Sequence, residues 1–131
     1  MGLFTLGDFT LHSGAHSSFK IDCDALTVSD LRALARVAFK LLPRRFGAAV
    51  GVPKGGLSLA MVMEPYKSPP GPWLIVDDIL TTGSSMEEAR KKLDEANGPT
   101  MGLVIFARGP CPPWVTPIFQ MTGPGERCGA S

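Results

Sequence analysis

No apolar run in the sequence approaches the roughly 20 residues that a membrane-spanning helix needs, so no transmembrane helix is expected. The start, MGLFTLGDFTLHSG, has no basic stretch followed by a long apolar core; no signal peptide is expected, and the location implied is cytoplasmic. Charge is sparse and balanced. The 13 Lys and Arg against 12 Asp and Glu leave a net +1, and the cations are scattered rather than massed. A nucleic-acid or anionic-membrane partner would call for a cationic patch, so neither partner is expected. Cysteine is scarce as well. Cys23, Cys111 and Cys128 show none of the short spacings of zinc sites or disulfide frameworks, so free, partly buried thiols are expected. His12 and His16 stand four apart, but Gly14 between them favours a turn over a helix face that could hold a metal. No metal held directly by side chains is expected.

What is present suits a globular chain. At 131 residues and 44% hydrophobic content, residues 1–131 are long enough for one domain with a real core. From 9 to 22 two short extended pieces flank Ser13-Gly14, Phe9 and Leu11 alternating before the turn and Phe19 and Ile21 after it, which predicts a hairpin. Thr27, with Asp30 three residues on, has the spacing of a capping box. Leu31, Leu34, Ala35, Ala38, Leu41 and Leu42 follow at helical intervals until Pro43 ends the run. Three short apolar runs, 48–52, 73–76 and 101–106, read as strands covered on both faces. A helix is expected over about 84–96, with Met86, Ala89, Leu93 and Ala96 turned inward. Strand, helix, strand in that order predicts a right-handed βαβ unit and a parallel sheet. Beyond Gly109 the chain is rich in Pro and Gly, anchored by Trp114, Val115, Ile118 and Phe119.

In open parallel sheets ligands collect beyond the carboxyl ends of the strands. The loop after 73–76 carries Asp77 and Asp78, then Thr81-Thr82-Gly83-Ser84-Ser85 at the head of the helix. Free N–H groups at a helix start, a glycine that lets the backbone close tightly and four hydroxyls make an anion cradle. Two adjacent carboxylates beside a phosphate would repel it unless they hold something else, and diol hydroxyls are the natural partners. A ribose 5-phosphate satisfies both halves. A lone TTGSS would be explained by helix capping; with a buried strand and two acids before it, the ligand reading accounts for more. The second loop, Gly51-Val52-Pro53-Lys54-Gly55-Gly56, pairs permissive backbone with one cation and is a candidate diphosphate clamp, although Pro-Lys-Gly-Gly also suits a plain turn.

Together IVDDILTTGSS and GVPKGG resemble the signature and pyrophosphate loop of the type I phosphoribosyltransferases, and FTLHSGAHSSFKID resembles the opening of the orotate members. The resemblance spans about residues 7–108. It implies an α/β fold, a three-layer open and mainly parallel sheet with helices on both faces and the N-terminal hairpin as a hood. It implies transfer of a phosphoribosyl group from phosphoribosyl pyrophosphate to an orotate- or pyrimidine-like base, with Mg²⁺ on the pyrophosphate, in a homodimer. Position by position, Asp77 and Asp78 would be the catalytic acids on the ribose hydroxyls, and Thr81, Thr82, Gly83, Ser84 and Ser85 would hold the 5-phosphate. Pro53, Lys54, Gly55 and Gly56 would form the pyrophosphate loop, with a non-proline cis peptide near the Lys-Gly step. Arg108 and His12 fall at base-contacting positions, His12 where several orotate enzymes carry lysine. A solvated strand-end arginine would equally explain Arg108.

One stretch departs from that pattern. Only 16 residues, 61–76, lie where relatives have a further strand and a long catalytic loop. Here EPYKSPPGPW offers Lys67 as the single cation, and Pro69, Pro70 and Pro72 make a stiff connector rather than a lid. The segment 112–121 is a candidate substitute cover. Two functions follow: a minimal transferase, or a non-catalytic binder or sensor of phosphoribosyl pyrophosphate or a nucleotide.

Overall fold

The computed structural model describes residues 4–10, 16–21, 25–97 and 99–121. Strands β1 (Phe4–Thr10) and β2 (His16–Ile21) pair antiparallel as a sheet of their own, with an irregularity between Leu6 and Phe9. The hairpin therefore starts earlier than the alternation suggested, while the turn at Ser13-Gly14 lies outside the described residues. Helix α1 (Val28–Leu41) opens with the expected capping box: the Asp30 N–H donates to Thr27 Oγ1 at 3.1 Å and the Thr27 N–H to Asp30 Oδ2 at 2.9 Å. These bonds hold the Asp30 carboxyl below the ordinary carboxylate range. The helix stops because Leu42 precedes Pro43 and is driven into extended backbone, φ −62° and ψ 137°.

The remainder is one four-stranded sheet in the order β3-β4-β5-β6, all parallel, formed by Ala48–Gly51, Trp73–Leu80, Thr100–Ala107 and Val115–Gln120. Helix α2 (Leu57–Met63) follows β3 and α3 (Ser84–Asn97) follows β4. Alternation along the central strands divides the core in two. Leu74, Val76, Leu103 and Ile105 pack with Ala35 and Ala38 of α1 and Leu59 and Met63 of α2. Ile75 and Val104 point the other way, toward Met86, Ala89 and Leu93 of α3. Helices on both faces of a parallel sheet make the three-layer α/β arrangement expected.

That division has a topological consequence. The connections β3–α2–β4 and β4–α3–β5 advance in the same direction across a parallel sheet but on opposite faces. They therefore have opposite hands, and at most one obeys the right-handed preference of βαβ units.

Two elements differ from the sequence expectation. Strand β4 does not stop at Val76 but continues through Asp77–Leu80 beside β5. The tail forms a strand, β6, on the far edge of the sheet, where the missing N–H of Pro117 costs no ladder bond on the outer side. Seven residues, 108–114, return the chain to start β6 level with Gly102, too few for a crossover helix. Trp114 in that strap packs over Gly102, where an added Cβ would meet Trp114 Cζ3 and Val115 Cγ2 at 2.9 Å. Gly102→Val should therefore destabilise the fold by about 1–3 kcal/mol, read from urea unfolding, because the strap has to lift from β5.

Candidate functional site

The site lies at the carboxyl ends of β3, β4 and β5. The loop after β3 is tied to β4 by its backbone: the Val52 N–H donates to the Val76 carbonyl at 2.8 Å, and the Gly56 N–H returns to the Val52 carbonyl at 2.9 Å. Gly56 rests so close to the Val76 carbonyl that a Cβ could not fit. Gly55 stands directly against the Asp78 carboxylate, and a Cβ there would overlap it. This contact brings together the two loops that were separate candidates in the sequence. The Pro53–Lys54 peptide is cis, one bond earlier than the Lys-Gly step suggested by resemblance. Lys54 itself is exposed.

The two acids adjoin one another at the end of β4. Asp77 is 9% exposed and lines an open hollow together with Thr81, Thr82, Gly83, Ser84 and Ser85. Its Oδ1 accepts the Asp78 N–H at 2.8 Å, and Asp78 Oδ1 accepts the Ile79 N–H at 2.8 Å. The carboxylates thus take up backbone donors of their own strand. Burial, the Asp78 side chain and the Asp78 charge, against the lowering backbone bond, push Asp77 up to about 7.

The cradle after Leu80 turns on Gly83, whose φ of +85° is a left-handed conformation that side chains rarely adopt. Thr82 Oγ1 and Ser84 Oγ are 2.7 Å apart, and the Glu87 N–H donates to the Gly83 carbonyl at 2.9 Å to start the helical ladder of α3. Exposed hydroxyls and the leading N–H groups of a 14-residue helix converge there, the Ser84 N–H donating to Thr82 Oγ1 at 3.4 Å, which suits a phosphate.

Arg108 follows β5 at the same edge, its N–H on the Leu80 carbonyl at 2.9 Å, and burial lowers its guanidinium pKa. Gln120, which carries no sequence signal, and Trp114, expected only as an apolar anchor, fix that segment. Gln120 Nε2 donates to the Gly109 carbonyl at 2.8 Å, and Trp114 Nε1 donates to Glu87 Oε1 at 2.9 Å beneath Arg90, 4.7 Å above its ring. These partners lie 11 and 27 residues apart in the chain, so no local pattern announces them. His12 lies outside the described residues, as do Cys23 and Cys128. Cys111 is free and half-buried, and burial raises its thiol pKa.

The short connector, read from the sequence as no lid, lies away from the site. The connector 67–72 passes the amino ends of the strands: the Ser68 N–H donates to the Phe46 carbonyl and the Gly47 N–H to the Pro72 carbonyl, each at 2.8 Å. Lys67 pairs with Glu64 at 2.9 Å at that opposite edge. The segment 115–120 is taken up by β6 and lies in the sheet rather than over the ligand end.

Among the described residues no three His, Cys, Asp or Glu side chains group to hold a metal. The donor set does fit an oxygen-seeking divalent cation that keeps most of its shell from substrate and water, since two adjacent carboxyl groups, one short of countercharge, adjoin an anion cradle.

No protein-family model matches the chain, and no curated protein does. Solved structures do. The chain is similar to orotate phosphoribosyltransferase from Aeropyrum pernix, at 25% identity over 90% of this chain and 88% of that one, with a TM-score of 0.72. It is similar in fold to the UMP synthase of Leishmania donovani, at 23% identity over 90% of this chain and 33% of that one, TM-score 0.72. Orotate phosphoribosyltransferase of Mycobacterium tuberculosis matches at 15% identity over 89% of each chain, TM-score 0.69. The fold is that of the type I phosphoribosyltransferases, in the form similar to their orotate members. No helix among the described residues is long and apolar enough to cross a membrane.

The buried acid sets a pH dependence. Its carboxyl titrates near 7 in the fold against 3.8 ordinarily, so folding favours the protonated form. Stability from this group is full below about pH 4 and is lost as pH rises to about 7. Asp77→Asn removes that loss. The variant should match wild type at pH 4 and exceed it at pH 8 by up to about 4 kcal/mol, measured by denaturant unfolding at both pH values.

Proposed function

We propose that the chain binds phosphoribosyl pyrophosphate and transfers its phosphoribosyl group to an orotate- or pyrimidine-like base, releasing pyrophosphate. The observation that carries this is the approach of Gly55 to the Asp78 carboxylate, because it joins a diphosphate clamp to a diol-binding acid beside a phosphate cradle. Thr81 to Ser85 hold the 5-phosphate through N–H and hydroxyl donors. Asp77 and Asp78 accept from the ribose hydroxyls, orient the ring, and offset the positive charge it develops as the bond to pyrophosphate lengthens. Lys54 and the backbone of Gly55 and Gly56 receive the leaving group. Mg²⁺, held mainly by substrate oxygens and water, supplies charge neutralisation on the pyrophosphate. Arg108 faces the base, and His12 is the second base-contacting candidate. A homodimeric, cytoplasmic protein with small-molecule substrates is part of the same reading.

A second reading, a binder or sensor without turnover, is favoured by one observation: the connector 67–72 runs at the edge opposite the acids and cannot exclude water from the site.

Calorimetry with phosphoribosyl pyrophosphate and Mg²⁺ should give binding that Asp77→Asn with Asp78→Asn weakens by at least roughly 100-fold, since hydrogen bonds to charged groups contribute about 1.5–3 kcal/mol each. Unchanged affinity in the double variant would sink the site. Pyrophosphate release assayed over a panel of bases separates the two readings: release with one base supports transfer, and tight binding with no release supports the sensor.

A further inference from the structure

At the carboxyl end of β5 a side chain extends the ladder to β6 by one bond. The Met121 N–H donates to the Ala107 carbonyl at 2.7 Å. A parallel ladder advances two residues per bond on each strand, so the next carbonyl on that side belongs to Gly109. It is met by the Gln120 side chain. Gln120 Nε2 donates to the Gly109 carbonyl at 2.8 Å, with the Met121 carbonyl at 3.2 Å and the Ala107 carbonyl at 3.4 Å beside it.

Arg108 lies between Ala107 and Gly109. Its own N–H is engaged on the other side, on the Leu80 carbonyl of β4 at 2.9 Å. Gly109 in turn stands near the Thr81 carbonyl, which a Cβ at Gly109 would approach to 3.8 Å, at the first residue of the phosphate cradle. The stretch 107–109 is thus held to β4 by backbone and continued onto β6 by one amide, and it brings a cation to the rim of the cradle. The far end of the same connection is fastened separately. There the Gly102 N–H donates to the Trp114 carbonyl at 2.8 Å, and Trp114 Nε1 to Glu87 Oε1 at 2.9 Å. Loss of the Gln120 amide would loosen the end that bears Arg108 and leave the other end in place. Gln120 is exposed at the close of an edge strand, so its replacement does not disturb the core.

We propose that Gln120 is a positioning residue for base selection: its amide holds 108–109 so that Arg108 presents its guanidinium to the base beside the bound ribose 5-phosphate. This rests on the proposed reading of Arg108 as the residue that faces the base. Gln120 acts through Arg108 rather than on substrate. The placement matters because a guanidinium donates two bonds in one plane, and a shifted fork loses the second.

Calorimetric titration of the full chain with orotidine 5′-monophosphate and, separately, with ribose 5-phosphate measures what the base adds to binding and needs no turnover. Wild type should prefer the nucleotide. Gln120→Met, similar in length but without a donor, should reduce that preference about five- to tenfold, while ribose 5-phosphate binds as it does to wild type. Arg108→Ala should remove the preference, and adding Gln120→Met to Arg108→Ala should weaken it no further, since the amide works through the arginine. The proposal is overturned if Gln120→Met keeps the wild-type preference, weakens both ligands alike, or adds its loss to that of Arg108→Ala; the phosphoribosyl site then still stands. A wild type that binds the two ligands equally sinks the base reading of Arg108, and one that binds neither sinks the proposed site; either result removes this inference with it.

Discussion

The contact between Gly55 and the Asp78 carboxylate constrains the rest of the site. The β3 loop can come that near because Gly56 sits on the Val76 carbonyl and Val52 is hydrogen bonded to it. Those contacts exist because β3 and β4 are direct neighbours in parallel register, Gly51 opposite Val76. A larger residue at 55 would push the carboxylate away from the mouth of the cradle; a different register would carry the whole loop off the strand end. Strand order, two glycines and one acid are therefore a single mechanical unit, and Lys54 is delivered to the edge by it.

Asp77 shows the cost of such a site. A carboxyl group 9% exposed, next to another, is unfavourable to ionise, and the fold pushes its titration up to about 7. The protein donor to its Oδ1 is the backbone N–H of its own neighbour, Asp78. A residue that lowers the stability of its own fold near neutral pH is best understood as held for a ligand, in the proposed reading the ribose hydroxyls.

The short segment between α2 and β4 shapes both the open site and the open edge. Because β3 passes directly to β4 by α2, the connection lies at the amino ends of the strands and brings no cover of its own to the carboxyl ends. The same economy makes β3 an edge strand and gives the α2 and α3 connections opposite hands. A ligand end with no cover from this segment and, among the described residues, a β3 with one neighbour are two results of one short connector.

Local chemistry determined a good deal from the sequence alone. The capping box of Thr27 and Asp30, the stop at Pro43, the inward stripe of α3 at Met86, Ala89 and Leu93 and the glycine turn at Gly83 follow from side chains within a few residues of one another, and each is found in the structure, while the Ala96 side chain lies outside the described residues. Apolar runs bounded by Gly, Pro and Asp located three strands for the same reason. Strand β6 and the extension of β4 through its acids were not legible, because an edge strand containing proline and a strand ending in carboxylates both contradict local preference and are held by the ladder to β5. The partnering of Gly55 with Asp78, of Gln120 with Gly109 and of Trp114 with Glu87 was decided by tertiary structure alone. So was the position of 67–72 at the far edge. Residue types and spacing set what each loop can bind, but only the order and direction of the strands set which loops meet.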